Sequence, residues 1–225
     1  MIGMLEVKAV CFDLDGTLLD TLEEIGVSAN TVLKRLGYPP HEINAYRSFV
    51  GDGIRCLVER MIPRESLSEE RVLEVATMLE KEYHRRANRC TRVYPGIMEL
   101  LDRLEERSIP KAVLSNKPHE LTVACIQRFF PQHSFSVVLG QRPGHPRKPD
   151  PAGAFEIASQ LGVDPGSMLY VGYTDVDMQT AKAAGMIAVG VLWGFRRREE
   201  LEGHGAEFVV AHPLEILDRV NVPQA

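Results

Sequence analysis

The sequence predicts an α/β fold: a doubly wound parallel sheet with a Rossmann-like core, interrupted by a small all-helical cap domain. Three observations carry this expectation. The apolar run Val7, Ala9, Val10, Cys11 and Phe12 reads as a buried first strand. From about Asp20 to Asn88 the apolar residues recur at helical spacing, and no strand is convincing. From Tyr94 onward, helical segments alternate with short apolar runs, the texture of βα units in a parallel sheet covered on both faces. The expected core is therefore residues 1–19 and 93–225, with residues 20–92 inserted as the cap.

Within the insert, Ile54, Leu57, Val58 and Met61, then Val72, Val75, Leu79 and Tyr83, mark helical faces. Gly37-Tyr38-Pro39-Pro40, Gly51-Asp52-Gly53 and Pro63 divide it into four helices, and Leu67-Ser68-Glu69-Glu70 starts the longest. In the core, helices are expected over 97–107, 120–130 and 152–161. They lead into strands at Lys111–Leu114, Phe135–Val138 and Met168–Val171. A helix including 181–184 precedes a strand at Ile187–Val191, and a last strand at Glu207–Val210 precedes a C-terminal helix. Tyr170, Trp193 and Phe195 are expected to pack the sheet edges.

At 225 residues, 44% hydrophobic and 25% charged, the chain is long enough to bury a core and is not of disordered composition. Its formal net charge of −5 argues against coating nucleic acid. Arg196-Arg197-Arg198 is countered by Glu199, Glu200 and Glu202 and reads as a solvated helix start. Cys11, Cys56, Cys90 and Cys125 are too scattered for a Cys-x-x-Cys pair, so reduced thiols are expected. The seven histidines have no metal-ligand spacing. No apolar run approaches the ~20 residues that span a bilayer, and Glu6 and Lys8 stand where a signal peptide would be apolar. A cytoplasmic protein without a nucleic-acid or membrane partner is expected, as a monomer or homodimer.

The densest chemical signal is Asp13-Leu14-Asp15-Gly16-Thr17 at the end of the first strand. Residues two apart on an extended chain point the same way, so Asp13 and Asp15 face one site. Gly16 lets the backbone turn away directly afterwards. One carboxylate can attack while the other handles a proton. Three further groups fall at strand ends or loops facing the same edge of the sheet: Ser115-Asn116-Lys117, Lys148-Pro149, and Gly172-Tyr173-Thr174-Asp175-Val176-Asp177. Hydroxyl and amide donors, a lysine, and carboxylates suited to Mg²⁺ are the means by which phosphoryl charge is neutralised. Taken singly, Ser115-Asn116 also reads as a helix cap, and Asp175 and Asp177 as first-turn acids.

Taken together, these motifs resemble the haloacid dehalogenase superfamily over nearly the whole chain. Phe49-Val50-Gly51-Asp52-Gly53, Tyr94-Pro95-Gly96, Ser115-Asn116-Lys117-Pro118, Lys148-Pro149-Asp150-Pro151 and Ala181-Lys182-Ala183-Ala184-Gly185-Met186 are similar to the phosphoglycolate phosphatase branch. The resemblance implies a phosphoric monoester hydrolase. Asp13 would form an aspartyl-phosphate, Asp15 would act as acid and then base, and Ser115 and Lys148 would hold the transferring group. Thr17, Asn116 and the cap loop Gly51, Asp52 and Gly53 are the implied substrate contacts. Mg²⁺ would sit on Asp13, the Asp15 carbonyl and Asp177.

The sequence departs from that family where an aspartate normally follows Gly172: this chain has Tyr173. A phenol with pKa near ~10 is a poor Mg²⁺ ligand. Asp175 is an extra acid that can take the vacated role. Three outcomes stay open, in this order: relocated ligation with activity, weakened Mg²⁺ binding, or a phosphate-binding relic. A small phosphorylated metabolite, with phosphoglycolate favoured, is the expected substrate; a phosphomutase or pyrophosphatase is the alternative.

Overall fold

The computed structural model describes residues 5–86 and 88–221. Residues 1–4, 87 and 222–225, included in the expected domain spans, lie outside the described residues. The strands are β1 (Leu5–Glu6), β2 (Ala9–Phe12), β3 (Leu19–Asp20), β4 (Arg92–Val93), β5 (Lys111–Pro118), β6 (Val137–Gln141), β7 (Met168–Gly172), β8 (Ile187–Val191), β9 (Phe208–Val210) and β10 (Val220–Asn221). The helices are α1 (Leu22–Arg35), α2 (Tyr46–Phe49), α3 (Gly53–Met61), α4 (Glu69–Arg86), α5 (Ile97–Glu106), α6 (His119–Phe129), α7 (Ala152–Leu161), α8 (Asp175–Ala184) and α9 (Arg198–Gly203).

Six strands form one parallel sheet in the order β6-β5-β2-β7-β8-β9. Parallel neighbours need crossover connections, and helices supply them on both faces. Alternation along each strand assigns the faces. Val10, Phe12, Val113, Leu169, Val171 and Val189 enter one core cluster. Ala9, Cys11, Ala112, Leu114, Met168, Tyr170 and Ala188 enter the other. The chain leaves β2 for β5 on one side and later returns to β7 on the other. The order therefore switches at β2, and the crevice for a ligand lies beyond the carboxyl ends of β5, β2 and β7.

Helices α1 to α4 lie between β3 and β4, which pair antiparallel with Leu19 opposite Val93 and Asp20 opposite Arg92. This two-stranded ribbon holds together the points where the insert leaves and rejoins the sheet domain. The insert has its own core, including Val32, Leu33, Tyr46, Val58, Val75 and Leu79, and α6 of the sheet domain adds Leu121 to it. Fully buried Glu24 on α1 accepts from Arg86 Nε and from the Cys90 amide, each at 2.6 Å, and so fixes the end of α4 against α1.

Four details differ from the sequence expectation. β5 continues through Ser115-Asn116-Lys117 to Pro118, with its pairing to β6 shifting between Leu114 and Pro118. β6 begins at Val137 because Phe135 leaves the sheet line to pack edge-on against Phe130 at 5.8 Å. The C-terminal helix is a 3-10 helix, Pro213–Arg219, in which Leu214 and Leu217, three apart, both pack on the core around buried Ile216. Tyr170 is not at a sheet edge: it is fully buried on the interior strand β7, where its hydroxyl donates to the Leu114 carbonyl at 3.3 Å. Among the described residues no helix is long and apolar enough to cross a membrane. All four cysteines are free, and Cys11 is buried in β2.

Replacing Glu24 by alanine leaves the largely buried Arg86 guanidinium without its carboxylate. The expected loss is about 3 kcal/mol of unfolding free energy, read by urea denaturation. A loss well under 1 kcal/mol would show that α1 and α4 do not depend on this pair.

Candidate active site

The apolar strand β2 ends at Phe12, and the next residue is held by its amide, which donates to the Val171 carbonyl at 2.9 Å. This bond fixes Asp13 at the strand end, with its carboxylate 5% exposed. Lys148 comes from the proline-rich loop before α7. Its ammonium donates to Asp13 Oδ1 at 2.9 Å, Asp177 Oδ1 at 2.7 Å and the Leu114 carbonyl at 3.0 Å. Asn116 holds the Lys148 backbone in both directions: its Oδ1 accepts from the Lys148 amide at 2.9 Å, and its Nδ2 donates to the Lys148 carbonyl at 3.1 Å. The same Nδ2 reaches the insert at the Gly51 carbonyl, also 3.1 Å away.

Asp15 is gripped separately. Lys117 Nζ donates to its two carboxylate oxygens at 3.0 and 3.2 Å and to the Tyr83 hydroxyl of α4 at 2.8 Å. Gly16 turns the chain with φ of +77°, and a side chain there would meet Tyr173 Cε1 at 2.7 Å. Ser115 is buried, and its Oγ accepts from the Lys117 amide at 3.2 Å.

A cavity of about 80 Å³ is lined by Asp13, Asp15, Ser115, Asn116, Lys117 and Tyr173 from the sheet domain. The insert contributes an apolar wall that includes Ile54, Leu57 and Leu79, together with Gly51 and Gly53. Five sequence candidates are absent from this lining: Lys148 and Asp177 stand behind Asp13, the lysine bonded to both carboxylates, and Thr17, Asp52 and Asp175 lie elsewhere. Thr17 is fully buried outside the lining, its carbonyl accepting from Trp193 Nε1 at 2.9 Å. The Asp52 carboxylate turns to Arg60 at 2.6 Å. Asp175, at the start of α8, is half-buried with Gln179 as its side-chain partner at 3.5 Å, and it does not line the cavity. Tyr83 and Lys117 are site residues that sequence reasoning missed. Lys117 had a local signal, its place beside Ser115-Asn116, whereas Tyr83 looked like any apolar-face residue of a helix.

Burial in this cluster shapes the charges. Burial pushes the Asp13 carboxyl up to about 7, against the pull of Lys148 and with help from Asp177. Burial works against the Lys148 charge, but Asp13 and Asp177 outweigh it and hold the ammonium well above its usual range. Lys117 is likewise held up by Asp15 and Tyr83 despite its burial. Tyr173 is 1% exposed, and burial followed by the charge of Asp13 keeps its phenol protonated. Its hydroxyl is buried with no hydrogen-bond partner among the described residues. Leaving a buried hydroxyl unpaired costs roughly 1–3 kcal/mol.

In the present arrangement the carboxylates are poorly placed for a Mg²⁺ ion, which takes one or two of them and keeps several waters. Both oxygens of the Asp15 carboxylate are on Lys117, which leaves to an ion only the Asp15 main-chain carbonyl that the family resemblance assigns to it. Asp177 gives Oδ1 to Lys148 and Oδ2 to the Tyr173 amide, the Thr174 amide and the Thr174 hydroxyl, completing the capping box of α8. With Asp175 turned away and an aromatic ring at position 173, only Asp13 Oδ2 is a cavity-facing carboxylate oxygen without a partner among the described residues. Elsewhere, His133 lies 3.4 Å from Glu105 and 3.8 Å from Asp102, but the Lys111 ammonium already stands 2.7 Å from Glu105, which opposes a cation there.

Comparison with known proteins identifies the family of the chain. The profile of the haloacid dehalogenase-like hydrolases matches residues 10–191. The chain is 34% identical over 192 residues to a phosphoglycolate phosphatase of Neisseria meningitidis, covering 84% of this chain and 82% of that one. It is 31% identical over 219 residues to a phosphoglycolate phosphatase of Pseudomonas syringae pv. tomato, covering 94% of this chain and 76% of the relative. A crystal structure from Lactobacillus delbrueckii subsp. bulgaricus superposes with a TM-score of 0.89 at 28% identity, covering 98% of this chain and all of that one. The chain belongs to the haloacid dehalogenase-like hydrolases.

Proposed function

We propose that this chain is a phosphoric monoester hydrolase, with phosphoglycolate as the favoured substrate and Asp13 as the nucleophile. The observation that carries the reading is the Asp13 carboxylate at the mouth of β2, with one oxygen on Lys148 and the other open to a cavity containing Asp15, Ser115 and Asn116. Asp13 Oδ2 attacks phosphorus, the bond from phosphorus to the ester oxygen breaks, and Asp15 gives that oxygen a proton. Asp15 then takes a proton from water as the water attacks the aspartyl-phosphate, which releases orthophosphate and restores Asp13. In the present arrangement Asp15 is held by Lys117, so it takes up the proton it delivers as that grip loosens. Lys148 and the Ser115 hydroxyl face the charge that develops on the phosphoryl oxygens.

A cavity of about 80 Å³ suits a small ester. The kinship with phosphoglycolate phosphatases supports that substrate over nucleotides or proteins. For Mg²⁺ the two lines diverge: kinship supports a divalent ion, whereas the donor set does not hold one, so no step is assigned to it. The helical insert acts as the cap. The acidic balance of the chain argues against a nucleic-acid partner, and a cytoplasmic monomer or homodimer acting on a small metabolite, without a membrane partner, completes the reading. A second reading, phosphometabolite binding without turnover, is favoured by Tyr173 alone.

Release of phosphate is to be followed from phosphoglycolate, a panel of other phosphomonoesters and pyrophosphate, with Asp13→Asn in parallel. The expected outcome is turnover of the small monoester that falls to background in the variant. Equal rates for the two proteins would reject Asp13 as the nucleophile, and return of the phosphoryl group to the same sugar would mark a mutase.

The raised Asp13 carboxyl sets the sign of the pH dependence. Only the ionised form attacks, so kcat/KM falls as pH drops below about 7. An acid limb centred near ~4, the ordinary carboxyl value, would show that Lys148 outweighs burial at this residue.

A further inference from the structure

The mechanism above leaves one buried polar group of the cavity without a task. Tyr173 follows β7, the neighbour of β2, and the Asp13 amide bonds to Val171, so the phenol leaves its strand beside the Asp13 carboxylate. Its ring is fixed by Gly16, whose missing side chain makes room for it, and by Phe195, edge-on with ring centroids 4.9 Å apart. So braced, the ring cannot swing to find a partner, and the hydroxyl stays buried, unpaired and on the cavity wall. Phenylalanine would fill the same space without stranding a donor.

We propose that the Tyr173 hydroxyl donates a hydrogen bond to a non-bridging oxygen of the bound phosphoryl group and, beside an Asp13 carboxylate whose charge Lys148 offsets, lets this site hold phosphate without a divalent ion. The inference rests on the phosphoryl-transfer reading of the cavity and adds to it an anchor that needs no metal. A phosphoryl oxygen is an acceptor carrying charge, and the orphaned group is a neutral donor, so the two are complementary. The Asn116 amide is already spent on Gly51 and Lys148, and the Lys117 ammonium on Asp15 and Tyr83. The Lys148 ammonium is spent on Asp13, Asp177 and the Leu114 carbonyl, so the Tyr173 hydroxyl, together with that of Ser115, is a donor kept in reserve.

Titration calorimetry with inorganic phosphate in EDTA tests this on wild type, Tyr173→Phe and Tyr173→Asp, with melting temperatures recorded and Mg²⁺ alone titrated separately. Wild type is expected to bind phosphate in EDTA. Tyr173→Phe is expected to bind it at least about tenfold more weakly while melting no lower than wild type. Tyr173→Asp is expected to lose metal-free phosphate binding and to bind Mg²⁺ more tightly. Phosphate affinity unchanged in Tyr173→Phe overturns the proposal, as does wild-type binding only when Mg²⁺ is added. A lower melting temperature in Tyr173→Phe also overturns it, because the hydroxyl would then have a partner within the protein. Since binding is read directly, absent turnover with intact metal-free phosphate binding would defeat the phosphatase reading and leave this one standing.

Discussion

The ammonium of Lys148, shared between Asp13 and Asp177 in a site almost closed to solvent, is the interaction on which the rest of the structure depends. Ions taken out of water are tolerated only when paired and fully hydrogen-bonded. Each partner here meets that condition through a different element. Asn116 on β5 fixes the Lys148 backbone, Thr174 at the start of α8 bonds the Asp177 oxygen that Lys148 leaves, and the β7 carbonyl of Val171 takes the Asp13 amide. One cation thus ties the end of β2, the β5 carbonyl of Leu114 and the first turn of α8 to the loop before α7. Asp177 both places Lys148 and caps α8.

A second set of contacts decides how the insert sits on that platform. Its loop between α2 and α3 offers main-chain carbonyls to three side chains of the sheet domain. Arg196 reaches Arg47 and Val50, Asn116 reaches Gly51, and Arg147 reaches Asp52. Lys117 adds Tyr83, so the residue that grips Asp15 also grips α4. Asn116 and Lys117 therefore each touch the insert and the reacting carboxylates or their partners at once. Any opening of the insert would have to break these bonds, and in the present arrangement its apolar wall lines the site. Coupling between closure and the acid-base residue follows from two bonds on one ammonium.

Local pattern is what made the sheet and half the site legible. β2 is a run of apolar residues, and Asp13 and Asp15 follow it at the spacing that sends both toward one cavity. Ser115, Asn116 and Lys148 were found because they follow strands or precede a helix, positions a sequence displays. Tyr83, 68 positions from Asp15, was not, since nothing near it marks a polar task until α4 is folded over β5. Asp175 misled for the opposite reason: its type and spacing suit a ligand, but the helical turn at α8 directs Asp177 inward and Asp175 outward, 100° per residue apart along the helix. The 3-10 segment at Pro213–Arg219 failed as a helix because its apolar residues satisfy a three-residue turn.

The same charge bookkeeping explains why tyrosine is tolerable at position 173. Asp13, Asp15 and Asp177 are three carboxylates, and Lys117 and Lys148 are the two ammonium groups that bond to them. One negative charge remains, and the raised Asp13 carboxyl shows how strongly burial resists even that. A further aspartate at 173 would double the uncompensated charge and call for a dication to neutralise it. A phenol adds none, so before a phosphoryl group brings its own charge the protein's two cations come within one unit of balancing the site. The ring at position 173 is held by Gly16, Gly194 and Phe195 as part of the packed core.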